Sequence, residues 1–278
     1  MRPRTATTAR ATVLAITSGK GGVGKTNVTI NVAIAMARLG LRVGVLDADF
    51  GLGNVDVLLG IAPVAHIGHV VAGEKRLQDV LVRGPHGITI IPAGSGLQSM
   101  TSLSGAQRDR LLAALDLACR DLDFLLIDTA AGISDNVMEM LKLAERIVLV
   151  TSLEPSAIVD AYALTKVLTG TDAGKDIGVV INSARSAEEA SVAFRQIETA
   201  TRRFLKRSVS YYGHITDDPA VRESVLVQRA IIDLLPQSPA SRCYRIVASR
   251  LAGLGPAQGG LRLAPRETAT GEGVSQCA

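Results

Sequence analysis

Aromatic side chains are scarce in this sequence, at 3% of 278 residues with no tryptophan. A core must therefore be filled by alanine, valine, leucine and isoleucine, and the 47% hydrophobic content is ample for that. Cysteine is rarer still. Cys119, Cys243 and Cys277 are odd in number and lack metal-ligand spacing, which leaves a disulfide framework or an iron–sulfur site without support and points to reduced thiols. No apolar run reaches the ~18 residues needed to span a bilayer. Met1 to Ala11 carries Arg2, Arg4 and Arg10 but no apolar stretch, so it is not a secretory signal, and a cytoplasmic location is expected. Neither sign of charge dominates. A formal net charge of +4 permits contact with DNA or acidic lipid without requiring either.

What is present is a glycine-rich stretch, Ser18-Gly-Lys-Gly-Gly-Val-Gly-Lys-Thr26. It follows the apolar run Val13 to Thr17 and precedes a segment with helical spacing of Val28, Val32, Ala35, Met36 and Leu39. A strand-to-helix turn of this composition is the setting of a phosphate-binding P-loop. Gly19, Gly21, Gly22 and Gly24 allow close backbone approach, so that successive N–H groups, including that of Val23, can point at phosphate oxygens. The helix opening near Thr26 and Asn27 adds its positive dipole end. Lys25 is placed to reach the β- and γ-phosphates and the Thr26 hydroxyl to ligate Mg²⁺. A glycine-rich turn that binds nothing has no need of the whole pattern in this setting.

The rest of the chain reads as alternating strands and helices. Arg42 to Leu46 is a strand that runs into Asp47-Ala-Asp49, carboxylates at the end where open α/β sheets bind ligands, although such a pair is also ordinary loop chemistry. Asn54 to Gly60 reads as a short helix or turn, Leu77 to Val82 has helical spacing, and Gly87 to Ile91 is a strand closed by Pro92. Ala93 to Ser99 is a Gly/Ser-rich loop, and Ser104 an N-cap for a helix carrying Leu111, Leu112, Leu115 and Ala118. Asp123 to Asp128 is a continuous apolar strand of the kind buried in a parallel sheet, and Asp128 at its end is suited to hold Mg²⁺ through water. Further strands are read at Arg146 to Thr151, Ile177 to Asn182 and Ser208 to Gly213. A helix over Ala187 to Leu205 ends in the basic cluster Arg202, Arg203, Lys206 and Arg207, read as complementing the helix dipole. The fold expected is a single-domain α/β P-loop NTPase over residues 13–254, with a mostly parallel central sheet and helices on both faces. Residues 1–12 and 255–278 are expected to be a disordered arm and tail.

Lys20, a second cation near the start of the loop, resembles the deviant Walker A motif of the MinD/ParA class of nucleotide-switch ATPases. Within that class, Lys25-Thr-Asn27, Asp47 to Gly60, Tyr211 to Val225 and Gln228 to Pro236 resemble the FlhG/FleN flagellar-number branch. The resemblance implies an ATPase that uses ATP and Mg²⁺ and forms an ATP-dependent homodimer, each Lys20 reaching the other subunit's phosphates. It implies that Asp49 orients the attacking water, that Asp47 supports it near Mg²⁺, and that Asn182 reads adenine. Three departures stand out. Ala130 and Thr216 replace prolines usual in the family, and Met1 to Thr12 lacks the Asp-Gln-Ala-x-x-Leu element associated with activating the GTPase FlhF.

As partners the resemblance nominates an FlhF-like GTPase, the flagellar switch proteins FliM/FliN or a FleQ-like transcription activator. They would bring a cytoplasmic protein to the inner membrane or cell pole. Arg242 to Leu254 shows an apolar stripe interrupted by Arg250 and reads as a helix packed on the domain, so weak or no direct membrane binding is expected. A ParA-type DNA-partitioning module acting through the basic cluster, and a MinD-type division-site regulator, are the alternatives. DNA affinity that falls steeply with salt would favour the first of them.

Overall fold

Strand β1 (Thr12–Thr17) is buried along its whole length, as a strand must be that lies between parallel neighbours with helices on both faces. The computed structural model describes residues 10–51, 53–93, 103–172 and 174–253, so the outer parts of the expected arm and tail, and most of the loop after Ala93, lie outside the described residues. Ala11 is already buried and its N–H faces the Cys119 carbonyl, which brings the start of the fold ahead of Val13.

After β1 come α1 (Lys25–Arg38), β2 (Val43–Ala48), α2 (Val55–Leu59), α3 (Ile67–Ala72), β3 (Val82–Arg83) and β4 (Thr89–Ile91). Then follow α4 (Gly105–Arg120), β5 (Phe124–Thr129), α5 (Asp135–Leu143), β6 (Arg146–Thr151), α6 (Pro155–Thr171) and β7 (Asp176–Ala184). The chain closes with α7 (Ala187–Leu205), β8 (Ser210–Thr216), α8 (Pro219–Leu226), α9 (Ile231–Leu234) and α10 (Pro239–Gly253). Local chemistry explains several boundaries. Ser104 and Gln107 form the reciprocal capping box that starts α4. Pro155 opens α6, where its missing N–H costs nothing. Leu77 to Val82 is not helical beyond a 3₁₀ turn over Leu77–Asp79. That turn suffices to bury Leu77 and Val80, and Val82 then pairs with Ile90 as an edge strand.

The strands form one sheet in the order β3-β4-β2-β5-β1-β6-β7-β8. All adjacent pairs are parallel except β3 with β4. Alternate side chains serve opposite faces. Val13, Ala15, Leu125 and Ile127 pack under α3 to α7, whereas Leu14, Ile16, Leu126 and Val148 pack under α1, α2, α9 and α10. Cys119 belongs to the first layer and Cys243 to the second, so these two buried thiols lie on opposite sides of the sheet. Cys243, Val247 and Leu251 of α10 face inward against α1 and β8, as the stripe suggested, while Ile246 remains half exposed. Among the described residues no helix is long and apolar enough to cross a membrane.

Candidate functional site

The turn between β1 and α1 is shaped by contacts that exclude side chains at two glycines. A Cβ on Gly19 would lie 2.3 Å from the carbonyl oxygen of Asp160 in α6. Gly24, at φ +89, would place one 2.3 Å from Asn182 Nδ2. Asn182 uses that nitrogen to donate to the Val23 carbonyl at 2.7 Å. The loop is thus gripped at its entry by α6 and at its exit by the end of β7, and residues between those grips line a cleft of about 610 Å³. Gly21, Gly22, Gly24, Lys25, Thr26 and Asn27 form its polar floor and Asp49 its flank. Val57 and Leu58 of α2 and Val225 of α8 form an apolar wall.

Behind the floor stand two carboxylates in register, Asp47 on β2 opposite Asp128 on β5, each 2% exposed. Asp47 accepts from the N–H groups of Asp49 (3.1 Å) and Val55 (3.2 Å). Burial, and then the charge of Asp128, nonetheless push its pKa up to about 7. Asp128 accepts from the Thr29 hydroxyl at 2.8 Å. Its pKa is pushed up to about 6 by burial, against the opposing pull of the Thr26 and Thr29 hydroxyls and Lys25. Two adjacent buried acids, both disfavoured as anions, fit a divalent cation held at the Thr26 end of the loop.

The sequence-derived candidates therefore converge, with informative exceptions. Lys20 does not line the cleft. Its Nζ donates instead to Glu154 Oε2 (2.5 Å) and Ser156 Oγ (2.9 Å) at the start of α6. Asn182 reaches the loop rather than the cleft. Sequence reasoning missed Thr29, whose hydroxyl bonds both Asp128 and the Lys25 carbonyl. Its spacing of one helical turn from Lys25 was the available signal. The α2 and α8 wall left no local signal, because its residues are ordinary aliphatics far apart in sequence. A second concavity of about 460 Å³ lies on the outer face of α7, between Val192 and Phe204, and holds none of the candidate site residues. In its lining Arg203 stacks over the Phe204 ring, and Arg202 of the same helix pairs with Glu198.

The sequence pattern of the ParA family, described as NUBPL iron-transfer P-loop NTPase, matches residues 10–252. Antiactivator FleN of Pseudomonas aeruginosa is 45% identical over 239 residues, covering 86% of this chain and 85% of that protein. The flagellum site-determining protein YlxH of Helicobacter pylori is 31% identical, over 86% of this chain and 81% of its own. Among solved structures, the septum site-determining protein MinD from Pyrococcus horikoshii, complexed with Mg-ADP, superimposes with a TM-score of 0.70 at 25% identity. The match covers 89% of this chain and 99% of that one.

Proposed function

This chain belongs to the ParA family of P-loop NTPases, and from that premise we propose that it is an ATP-dependent dimerisation switch regulating the number and placement of flagella. It is an ATPase of the MinD/ParA fold that uses Mg²⁺ and ATP. The likeness to the flagellum site-determining protein YlxH, beside the higher identity to antiactivator FleN, is the observation that carries the flagellar role. An iron carrier is disfavoured, because the two cysteines among the described residues, Cys119 and Cys243, are buried on opposite faces of the sheet.

In this reading Lys25 and the loop N–H groups hold the triphosphate, and Thr26 with Asp128, through water, and Asp47 hold the metal. Mg²⁺ supplies neutralisation of charge on the phosphates. Asp49, on the flank of the cleft, orients the attacking water. With Nδ2 committed to Val23, Asn182 offers its Oδ1 to the adenine amine. Lys20, standing outside its own cleft, acts on the phosphates of a second copy, so ATP joins two subunits and hydrolysis parts them. The output is contact with a FleQ-like activator, with an FlhF-like GTPase or with FliM/FliN, and these partners carry the protein to the pole or inner membrane. Direct membrane binding is weak, since the α10 stripe is used against the domain.

Two lysine variants test the mechanism. Lys25→Ala should abolish ATP binding in calorimetry, whereas Lys20→Ala should keep most of the binding and lose the dimer in light scattering. Equal loss of binding in both would sink the action in trans. Flagella counted in cells lacking the gene, with and without the wild-type copy, test the biological role. An unchanged count in both would defeat it.

A further inference from the structure

The stretch Gln228 to Pro236 has no part in the chemistry above, yet it is fastened to two sides of the cleft. Its inner end is fixed. Ile231 and Ile232 are fully buried, and the Ile232 N–H donates to Asn31 Oδ1 at 3.1 Å. Asn31, itself fully buried in α1, donates through Nδ2 to the carbonyl of Asn27 on the cleft floor at 2.9 Å. Its outer end reaches across to α2, where Gln228 Nε2 donates to the Val57 carbonyl at 3.0 Å.

Two left-handed backbone positions face each other where the reach is made. Gln228 sits at φ +53, a left-handed conformation that is uncommon for a residue with a side chain. Opposite it Gly60, at φ +62, has no Cβ, and one built there would lie 3.4 Å from the Gln228 Cβ. The helix that is gripped is short. A five-residue helix is unstable alone, and α2 buries only Val55 and Leu58. Its first N–H is held by Asp47 and its middle by Gln228. Val57 and Leu58 of this helix, with Val225 three residues before Gln228, make the apolar wall of the cleft.

We propose that Gln228 is a positioning residue for nucleotide binding, its carboxamide clasping α2 to the α8–α9 turn so that the apolar wall stands at the right distance from the P-loop. The clasp rests on the ATPase reading of the cleft and adds to it a residue that touches no phosphate.

The test compares Gln228→Glu, which keeps the shape but turns the donor into an acceptor facing a carbonyl, with Gln228→Lys, which keeps a donor. Gln228→Met, which keeps the length but has neither charge nor donor at φ +53, separates the bond from the charge that Glu and Lys add beside an anionic nucleotide, and should lose affinity as the Glu variant does. Loss of one hydrogen bond should weaken Mg-ATP affinity about three- to tenfold in the Glu variant. KM should rise in parallel, kcat stay within about twofold, and Tm remain close to wild type. The Lys variant should recover most of the affinity. A Glu variant that binds like wild type, a Lys variant as impaired as the Glu variant, or a loss explained by a lowered Tm would overturn the clasp. Affinity reads the clasp even without turnover, so a wild-type protein that binds but never hydrolyses ATP would defeat the hydrolysis reading alone.

Discussion

Lys20 Nζ donates to Glu154 Oε2 at 2.5 Å, tying the lysine that distinguishes this P-loop to the first turn of α6 in its own subunit. Both side chains are substantially exposed, at 38% and 63%, and an ion pair in water contributes little, on the order of 1 kcal/mol or less. The tie is therefore easily exchanged for a phosphate. Glu154→Gln should leave Lys20 held by the Ser156 hydroxyl without the ion pair and strengthen ATP-dependent dimerisation about two- to fivefold, measured as the dimer dissociation constant by sedimentation. Weaker dimerisation in the variant would show that Glu154 serves the assembled state instead.

Asp128 and Asp47 make a second prediction, on stability. Their folded pKa values of about 6 and about 7 lie above the ordinary 3.8, so the folded state holds more protons than the unfolded one between roughly pH 4 and pH 7. The stability these two acids contribute is then lost as pH rises through that window. In EDTA, Asp128→Asn should raise Tm by roughly 2–4 °C at neutral pH and flatten this pH dependence, while removing Mg²⁺-dependent turnover. A lowered Tm would mean that the attraction of Lys25 for the carboxylate outweighs the burial cost.

Asn182 divides two roles between two atoms. Asn182→Asp keeps an acceptor but loses the donor to Val23, and should weaken ATP and GTP alike by loosening the loop. Asn182→Ala loses both and should weaken ATP more than GTP. Titration with the two nucleotides checks this. Equal loss of both in the Ala variant would remove adenine reading from this residue.

The parts of the site legible in the sequence are those whose chemistry is local. Glycines at positive φ, Lys25-Thr26 at a helix start and acids ending apolar strands each need only neighbours to be recognised. Sheet order brings Asp47 and Asp128 side by side, because β2 and β5 are parallel neighbours in matching register. What the sequence hid are contacts between distant segments, Lys20 with Glu154, Asn31 with Ile232 and Gln228 with Val57. Each joins residues common on any surface or helix. The misreading of Leu77 to Val82 has a related cause: a short run with two buried positions satisfies helical spacing and a 3₁₀ turn equally well.

The central claim is that ATP, and not ADP, joins two copies of this chain, and that Asp49 ends the state by orienting water. A carboxylate needed in the transition state more than in the ground state can be removed without losing the ligand. The most direct measurement is the solution mass of Asp49→Ala by light scattering with Mg-ATP and with Mg-ADP, alongside its ATPase rate. The account predicts a stable dimer in ATP, a monomer in ADP and a sharp fall in turnover. A variant that binds ATP yet stays monomeric, or that hydrolyses it at the wild-type rate, would contradict it.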